Sequence, residues 1–436
     1  MTLSVTGVSA PAKRFLATLL PIALLSVPLP LFAQSSASGA NQNAGDTLPL
    51  EEIQTFAEVF ERIKRAYVED VDDRTLLRNA MRGMLSELDP HSAYLDEEEY
   101  RSLRESTQGE FGGIGIEVGM EDGQLMVITP IDDTPASRAG LLSRDIIVAI
   151  DGTPTANLSL QEAVTLMRGE PESELRMSIL RSGEDTPREF ILKREIIRSE
   201  SVKHELLESG YGYLRISQFQ SRTAEQARDA LALMAREQPL EGLVLDLRNN
   251  PGGVLQAAVG IADLFLDQGL IVYTEGRLSD TAMSFSASSN TPAGDIPLVV
   301  LINGGSASAA EIVAGALQDQ RRGIIMGTDS FGKGSVQQIM PLGNGEGLKL
   351  TTALYYTPNG RSIQAQGIEP DVEVVRGRLE VAESRFEIRE ADLDGHLSAQ
   401  QAPRDRQEMA ERLIDDYQLS EALNLLKALN VVDRRR

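Results

Sequence analysis

Ser308 is the serine of this chain best placed to act as a nucleophile. It follows the apolar run 298–302 and two glycines, at the point where a helix is predicted to begin with Ala309. A serine there lies at the positive end of the helix dipole, beside backbone N–H groups that can stabilise an oxyanion. Ser308 and Glu311 also match a capping box, in which the serine only caps the helix. The local sequence leaves both interpretations open.

Lys333 supplies the base that a serine nucleophile needs. It lies between two glycines and between apolar segments, in an acidic chain where lysine is scarce. Burial disfavours the charged form of lysine, and a neutral lysine can take the proton of a serine hydroxyl. If residues 336–340 form a strand, Gln337 lies an even step from Lys333, and its amide oxygen can orient the ammonium. The alternative is a solvated lysine in a glycine-rich turn.

The composition narrows the chemistry further. The 436 residues include 42 Lys and Arg, 65 Asp and Glu, no cysteine and three histidines, for a formal net charge of −23. Cysteine nucleophiles, disulfides and thiolate metal sites are excluded, and so acidic a surface repels nucleic acid. His91, His204 and His396 are all distant from Ser308 in the sequence, although His204 could fold back onto it. We therefore expect lysine-based serine chemistry, with no metal and no organic cofactor.

An oxyanion site is predicted in the turn that follows the apolar strand 243–247. The turn, Asn249-Asn250-Pro251-Gly252-Gly253, exposes backbone N–H groups. One of Gly252 and Gly253 could complement the N–H group of Ala309 around a developing oxyanion. A simple strand-to-helix turn is equally consistent with these residues.

A competing motif is found at Gly327–Lys333, which matches the phosphate-loop pattern G-x-x-x-x-G-K. Gly334 stands where a phosphate loop has the hydroxyl that binds Mg²⁺. The stretch that follows is β-like and meets Pro341, whereas a phosphate loop needs a helix. Nucleotide binding is therefore the disfavoured alternative.

The region 109–198 predicts a small β-rich domain that begins with the glycine-rich turn Phe111–Ile116. Consecutive glycines let backbone N–H groups converge into a nest for a carboxylate, and a strand after such a turn can pair with an extended peptide. A helix is predicted at Leu160–Arg168, with Ser159 as its N-cap. The predicted strands are 114–118, 125–128, 146–150, 175–180 and 188–193.

Together with Thr134–Leu141 and Asp145–Gly152, this order of segments resembles a bacterial PDZ domain. The resemblance implies that a substrate C-terminus binds between the first strand and the helix. Arg168 could reach the bound carboxylate, although a surface arginine needs no such role. The residues expected at this peptide site are Gly112, Gly113, Ile114, Gly115, Ile116 and Arg168.

From residue 199 to 375, β and α segments alternate, which is typical of an α/β domain with a largely buried, mixed or parallel sheet. The predicted strands are 213–216, 243–247, 271–273, 298–302 and 324–326. The predicted helices are 224–236, 255–265 and 309–318.

The first 33 residues are predicted to be a secretory signal peptide. Lys13 and Arg14 precede the apolar run 15–31, which is followed by the small residue Ala33. An uncleaved membrane anchor is the alternative, disfavoured because the run is short and contains prolines. We expect export to a bacterial periplasm, with cleavage near Ala33.

The two ends of the mature chain are predicted to be helical. After a flexible linker at 34–49, the region 50–108 contains a helix beginning at Leu50 and a second helix at 76–88. The region 376–436 ends in an amphipathic helix. These terminal helices could pack on their own domain or join two copies of the chain, and we expect a homo-oligomer. Apolar residues recur at helical spacing at Ile53, Phe56, Phe60, Ile63, Tyr67, and at Met409, Leu413, Tyr417, Leu423 and Leu426.

Taken together, the segments resemble the C-terminal processing peptidases, also called tail-specific proteases. The resemblance runs from Leu88–Ser92 through the PDZ-like region and the motifs Gly305–Ile312 and Gly332–Gln337 to Asp416–Leu419. It implies a crotonase-like serine protease core with an inserted β-rich PDZ domain and helical N- and C-terminal regions. It also implies that Ser308 is the nucleophile, Lys333 the general base and Gln337 the residue that positions the lysine. The backbone of Ala309 and of the turn at Gly252 and Gly253 would form the oxyanion hole.

The implied reaction is hydrolysis of peptide bonds within proteins, through an acyl-enzyme on Ser308 with Lys333 transferring the protons. The implied partners are protein substrates bound by their C-termini and, as in some members of the family, an adaptor lipoprotein. A periplasmic peptide-binding chaperone without proteolytic activity is the alternative, and the intact Ser308, Lys333 and Gln337 argue against it.

Overall fold

The structure, a computed structural model, describes residues 49–121, 123–289, 291–378 and 415–433. The predicted signal peptide (1–33) and almost all of the predicted linker lie outside these residues, as do Met409, Leu413 and His396. The chain divides into two compact units, residues 1–72 and 73–436. No helix in the described ranges is long and apolar enough to cross a bilayer.

The first unit contains helix α1 (Leu50–Ala66), as the sequence predicts. Its apolar residues recur at three- and four-residue steps and so form one stripe along the helix. Ile53, Phe56 and Ile63 on this stripe are exposed.

The second unit begins with helices α2 (Asp73–Ser86) and α3 (Glu97–Gln108), which flank the short strand β1 (Ala93–Leu95). The helix predicted at 76–88 is confirmed, and it ends ahead of the Asp89-Pro90 pair. Helix α3 is held by a capping box, in which Asp96 and Glu99 each accept a hydrogen bond from the backbone of the other.

Residues 110–198 form the β-rich domain. Its strands are β2 (Glu110–Gly113), β3 (Ile116–Glu121), β4 (Gln124–Pro130), β5 (Ile146–Ile150), β6 (Thr153–Pro154), β7 (Glu174–Leu180), β8 (Arg188–Lys193) and β9 (Glu195–Arg198), and its helices are α4 (Pro135–Arg138) and α5 (Leu160–Met167). The main sheet has the order β3-β4-β5-β7-β8, with β6 beside β5, whereas β2 pairs with β9. Strand β3 is therefore an edge of the main sheet, with one side unpaired.

The single strand predicted at 114–118 is wrong. The chain forms β2 and β3 instead, because Gly115 between them has a φ of +74° that ends the extended run. Ile114 is buried in the domain core, and its carbonyl accepts from the N–H group of Ala136. The predicted cap of α5 is confirmed, since Ser159 forms a capping box with the third residue of the helix.

The α/β domain is built on a six-stranded sheet. Its strands are β10 (Val202–Glu208), β11 (Tyr211–Ile216), β12 (Gly242–Asp246), β15 (Leu298–Ile302), β16 (Ile324–Gly327) and β19 (Val372–Glu373), in the order β10-β11-β12-β15-β16-β19. Only the pair β10–β11 is antiparallel. The helices are α6 (Thr223–Glu237), α7 (Leu255–Asp263), α8 (Ala309–Asp319) and α9 (Tyr417–Asp433). The predicted α/β class and buried sheet are confirmed.

Both faces of this sheet are covered. Along β15, Leu298, Val300 and Ile302 pack in the core cluster that includes α6, α7 and α8. Val299 and Leu301 point to the other face, where they pack with apolar residues of α9. This alternation explains why the strand is apolar at every position.

A second sheet shares the core cluster of the first through Ile271, Val272 and Tyr355, and it includes β1, the strand between α2 and α3. It contains β1, β13 (Leu270–Gly276), β14 (Ser284–Ser286), β17 (Ser335–Pro341) and β18 (Gly347–Tyr356). Strand β18 pairs with β17 in a hairpin and also with β1, where Ala93 lies opposite Lys349. Residues 93–95 thereby pair with the hairpin that carries Gln337.

Candidate active site

Ser308 lies at the junction of β15 and α8, where the sequence predicts it, but in an unusual backbone conformation. Its φ of 56° and ψ of −115° lie outside the regions that non-glycine residues normally adopt. Such a conformation costs about 1–3 kcal/mol and is found most often at active sites. Its N–H group donates to Glu311 Oε2 at 2.7 Å, which is a contact of the predicted capping box. The helix cap and the strained backbone therefore occur at the same residue.

The carboxylate of Glu311 is fully buried and joins Ser308 to the loop that carries Lys333. Its Oε2 atom accepts from the N–H groups of Ser308 and Lys333, at 2.7 and 2.9 Å. Its Oε1 atom accepts from the N–H group of Gly332 at 2.6 Å and from the hydroxyl of Ser330 at 2.5 Å. A buried carboxylate is stable only when donors satisfy it in this way. The sequence reveals Glu311 as a helix cap; its contact with the lysine loop is visible only in the structure.

Lys333 is half-buried, and its surroundings favour the neutral amine. Burial lowers the pKa of its ammonium, and the charge of Lys349 lowers it further. Asp89 and Glu311 act in the opposite direction without reversing the shift. A lysine in this state can accept a proton near neutral pH more readily than a solvated one.

Tyr355 is a further side chain at this site that sequence analysis missed. It lies on β18 with only 2% of its surface exposed. Its hydroxyl donates to the carbonyl of Lys333 and interacts with the side chain of Ser308. Burial raises the pKa of the phenol, so it remains a donor. Within the described residues, no hydrogen bond joins the Lys333 ammonium to Ser308.

Gln337 lies on β17, in the strand predicted at 336–340, but the even-step argument does not apply to it. Lys333 precedes the strand, and the register shifts between Val336 and Gln337. The Nε2 group of Gln337 donates to Ser335 Oγ at 2.9 Å and to Thr351 Oγ1 at 3.3 Å. Its amide oxygen accepts no hydrogen bond from the part of the chain that is described. The structure thus leaves that oxygen as the group able to orient an ammonium.

The glycine turn lies directly against Ser308. Gly252 has a φ of +98°, and a Cβ atom placed on it would lie 2.7 Å from the Cβ of Ser308. The Gly252 N–H group donates to Asn250 Oδ1 at 2.9 Å, so it is not free for an oxyanion. Across the described ranges, the N–H groups of Gly253 and Ala309 have no hydrogen-bond acceptor. Of the two glycines, Gly253 is therefore the one that can serve as the donor.

A buried ionic network anchors the strand that leads into this turn. Arg248 donates to Asp246 at 2.7 and 3.0 Å and to Asp416, just before α9, at 2.7 and 2.8 Å. Asp246 is fully buried and also accepts from the hydroxyl of Tyr213. The turn then begins with Asn249, one residue after Arg248. The sequence motif at Asp416–Leu419 therefore has a structural partner next to the candidate oxyanion site.

The candidate peptide site of the β-rich domain lies along β3 and α5. Strand β3 offers its unpaired edge to an extended peptide. Gly112 is tightly packed, and its carbonyl accepts from the N–H group of Gly169 at 3.2 Å. Arg168 at the end of α5 is already paired with Glu105 of α3 at 3.1 Å and lies over the ring of Phe111.

His204, the histidine that could have folded back onto Ser308, lies on a strand at the edge of the six-stranded sheet. His204 is exposed on β10, opposite Leu214. Of the two histidines that the structure describes, His91 is the one near the site, and its pKa is lowered by burial and by the charge of Lys333. Among the residues described, no group of three or more histidine and acidic side chains is arranged to hold a metal ion.

Three family models match the chain. The model of peptidase family S41 matches residues 210–374, and a PDZ domain model matches residues 126–181. The model for the N-terminal domain of the activating protease CtpB matches residues 31–99. The α/β domain and the β-rich domain therefore each have a recognised counterpart.

Curated relatives match this chain over most of its length. The carboxy-terminal-processing protease of Bartonella bacilliformis is 44% identical over 419 residues, which covers 92% of this chain and 93% of that one. The carboxyl-terminal-processing protease of Synechocystis is 42% identical over 311 residues, covering 70% of this chain and 72% of that one. A solved structure, the photosystem II D1 C-terminal processing protease, is 33% identical with a TM-score of 0.44, covering 74% of this chain and 93% of that chain.

Identity of this size over nearly the whole of two chains is the mark of one family, and it agrees with the family model matched by the α/β domain. The resemblance seen in the sequence is therefore confirmed at that level. This chain belongs to the carboxy-terminal-processing proteases, the serine peptidases of family S41.

Proposed function

We propose that this protease cleaves protein substrates after recognising their C-termini, with Ser308 as nucleophile, Lys333 as general base and Gln337 as the residue that orients the lysine. The observation that carries the proposal is the sharing of Glu311 Oε2 by the N–H groups of Ser308 and Lys333. It fixes the backbones of nucleophile and base to one atom, while burial lowers the pKa of the base.

The reaction follows from these groups. Neutral Lys333 takes the proton of the Ser308 hydroxyl as Oγ attacks the peptide carbonyl. The N–H groups of Ala309 and Gly253 stabilise the oxyanion. The Lys333 ammonium then protonates the leaving amine, which gives an acyl-enzyme and the first product. Lys333 next deprotonates a water molecule, which attacks the ester carbonyl. The Lys333 ammonium returns that proton to the departing Ser308 oxygen, which releases the second product and regenerates neutral Lys333 and the serine hydroxyl.

Substrate capture belongs to the PDZ domain in this proposal. The unpaired edge of β3 pairs with the C-terminal residues of the substrate, and the chain between β2 and β3 receives the terminal carboxylate. Arg168 would have to leave Glu105 in order to bind that carboxylate. Binding at this domain delivers an unfolded tail to Ser308.

The setting of the enzyme is also part of the proposal. The basic residues Lys13 and Arg14, the apolar run and Ala33 support export to the periplasm with removal of the signal peptide. The exposed apolar stripe of α1 supports self-association through the terminal helices. An adaptor lipoprotein that brings substrates is compatible with an enzyme whose PDZ domain recognises only a chain end.

The test is proteolysis by the mature chain, beginning at Gln34, against an unfolded protein substrate. Ser308→Ala and Lys333→Ala variants of confirmed folding are assayed beside it, together with a Ser306→Ala variant as a matched serine control. We expect cleavage by the unmodified enzyme and by Ser306→Ala, and none by the other two. Equal cleavage by Ser308→Ala would place the nucleophile elsewhere.

Two further measurements separate the alternatives. A fluorophosphonate probe should label the unmodified enzyme and spare Ser308→Ala, because it reacts with an activated serine. Peptides with a free C-terminal carboxylate should bind better than the same peptides amidated. Peptide binding without cleavage and without labelling would instead identify a peptide-binding chaperone.

A further inference from the structure

We infer that Asp89 and Thr351 set the orientation of the Gln337 amide and are therefore positioning residues for the base Lys333. The inference rests on the proposed function, in which Gln337 orients the lysine. It assigns a role at the active site to the Asp89-Pro90-His91-Ser92 turn, which lies more than two hundred residues before Lys333 in the sequence.

The geometry that carries the inference is a chain of two hydrogen bonds. Gln337 Nε2 also donates to Ser335 Oγ at 2.9 Å, but a serine hydroxyl can donate or accept, so that contact by itself does not fix the direction of the amide. Thr351 Oγ1 lies 3.1 Å from Asp89 Oδ1, and Gln337 Nε2 lies 3.3 Å from Thr351 Oγ1. The Asp89 carboxylate is itself held by the hydroxyl and N–H groups of Ser92 and by the N–H group of His91. Ser92 Oγ also accepts from the N–H group of Thr351, at 3.1 Å. The turn therefore binds both the backbone and the side chain of Thr351.

The direction of these bonds is forced by their chemistry. An ionised carboxylate only accepts, so the Thr351 hydroxyl must donate its one proton to Asp89. That leaves a lone pair on Thr351 facing Gln337, and only the NH₂ end of the amide can donate to it. The carbonyl end of Gln337 must then point away from Thr351. It becomes the acceptor available to the Lys333 ammonium.

Hydrogen bonds keep the Asp89 carboxylate ionised, as this argument requires. Burial by itself would raise the pKa of Asp89, but hydrogen bonds from Ser92, His91 and Thr351 outweigh burial and hold the pKa below its usual range. The side chain therefore accepts and does not donate over the whole neutral range.

A second contact shows that the N-terminal segment also holds the far end of the same hairpin. Glu346, in the turn between β17 and β18, is buried and binds Arg78 of α2 and the hydroxyl of Tyr94 of β1. This contact stabilises the hairpin but makes no bond to Gln337. It provides a control in which anchoring is weakened while the Asp89–Thr351–Gln337 chain is intact.

The test is steady-state kinetics and pH–rate profiles of the full mature enzyme. In Asp89→Asn the new asparagine amide can donate to Thr351 Oγ1, so the Thr351 hydroxyl is free to donate to Gln337 and the orientation of the Gln337 amide is no longer fixed. Thr351→Val removes the hydroxyl that joins residue 89 to Gln337. We expect each to lower kcat about tenfold, the worth of one hydrogen bond to a charged group, with little change in KM. Thr351→Ser keeps the hydroxyl and should keep the kcat of the unmodified enzyme. Tyr94→Phe, which weakens only the contact with Glu346, should also keep that kcat.

The pH profile separates orientation from general damage. The charged and titratable groups that face Lys333 are Lys349, Asp89, Glu311 and His91. Thr351→Val leaves all of them in place, yet it frees Gln337 to turn its oxygen away from the ammonium. The charged form of Lys333 then loses an acceptor, so the midpoint of the rise in kcat/KM should move to lower pH. A merely destabilised enzyme would lose rate without moving the midpoint.

A Gln337→Ala variant keeps the outcomes distinct. Reduced kcat in Gln337→Ala with normal kcat and midpoint in folded Thr351→Val would overturn this inference and leave the proposed function intact. Normal kcat in Gln337→Ala would overturn both the role of Gln337 and this inference. Thermal unfolding of every variant identifies any that fails to fold. If Asp89→Asn does not fold, Thr351→Val still tests the inference.

Discussion

The backbone N–H groups of Ser308 and Lys333 donate to one and the same oxygen atom, at 2.7 and 2.9 Å. That atom, Oε2 of Glu311, lies on the first turn of α8, while Lys333 belongs to the loop before β17. Two segments from different parts of the fold are thereby fixed relative to each other without using the side chain of Ser308 or of Lys333. Neither the hydroxyl of Ser308 nor the amine of Lys333 takes part in this contact.

Replacing Glu311 with glutamine should therefore damage catalysis more than substrate binding. The amide carries only one acceptor oxygen where four donors converge, so buried N–H groups lose their acceptor at about 1–3 kcal/mol each. We expect kcat to fall about 10- to 100-fold with a smaller change in KM. The matched control is Glu225→Gln on the exposed surface of α6. Unchanged kcat in Glu311→Gln would show that the shared oxygen does not position the site.

The pH dependence should report the ionisation of Lys333. The proposed reaction needs the neutral amine, and burial lowers the pKa of Lys333, so we expect kcat/KM to rise with pH and to level off above that pKa. The charge of Lys349 also lowers the pKa of Lys333, and its removal in Lys349→Met should move the midpoint to higher pH. Lys203→Met on the exposed strand β10 should leave the midpoint in place. A rate that does not vary from mild acid to mild alkali would exclude Lys333 as the base.

Gly252→Ala should nearly abolish activity for a steric reason. Its φ of +98° disfavours any side chain, and the new Cβ would lie 2.7 Å from the Cβ of Ser308. Gly183→Ala is a matched control, because that glycine also has a positive φ but its Cβ would meet nothing within 4 Å. We expect Gly183→Ala to lose about 1 kcal/mol of stability and keep its kcat. Full activity in Gly252→Ala would show that the turn does not form part of the site.

Asp416→Asn tests whether the contact between Arg248 and the segment that leads into α9 supports catalysis. Arg248 would keep Asp246 but lose a charged partner, and we expect the free energy of unfolding to fall by about 1–2 kcal/mol. Because Arg248 immediately precedes the glycine turn, kcat should fall as well. Lys427→Ala breaks an exposed ion pair between the same helix and Glu208, and it should do neither. Thermal unfolding and kinetics of both variants, measured side by side, decide the point; a stability loss with normal kcat would separate α9 from the active site.

Much of the fold could be predicted from the sequence because the signals are local. Ser159 predicts the start of α5, and the glycines before Ser308 predict the start of α8, since a cap or a turn depends on a few adjacent residues. The apolar strand β15 is found at its predicted ends, because burial on both faces leaves a continuous apolar run. The strand predicted at 114–118 is wrong because Gly115 has a positive φ, and the carbonyls of Ile114 and Gly115 accept from the N–H groups of Ala136 and Ile131, which a local pattern does not reveal.

The sequence by itself determined which residue types are available for the reaction: a serine at a helix start, a lysine between glycines, a glutamine on a strand, no cysteine, and no histidine close to Ser308 in the sequence. The catalytic roles of Ser308, Lys333 and Gln337 stay predictions. The tertiary structure decided what surrounds these residues, namely Glu311 shared by two segments, Tyr355 beside Ser308, and Asp89 linked through Thr351 to Gln337. Such contacts join residues that are far apart in the chain, so no local spacing encodes them. Burial and the direction of hydrogen bonds, on which proton transfer depends, exist only once the sheets have packed.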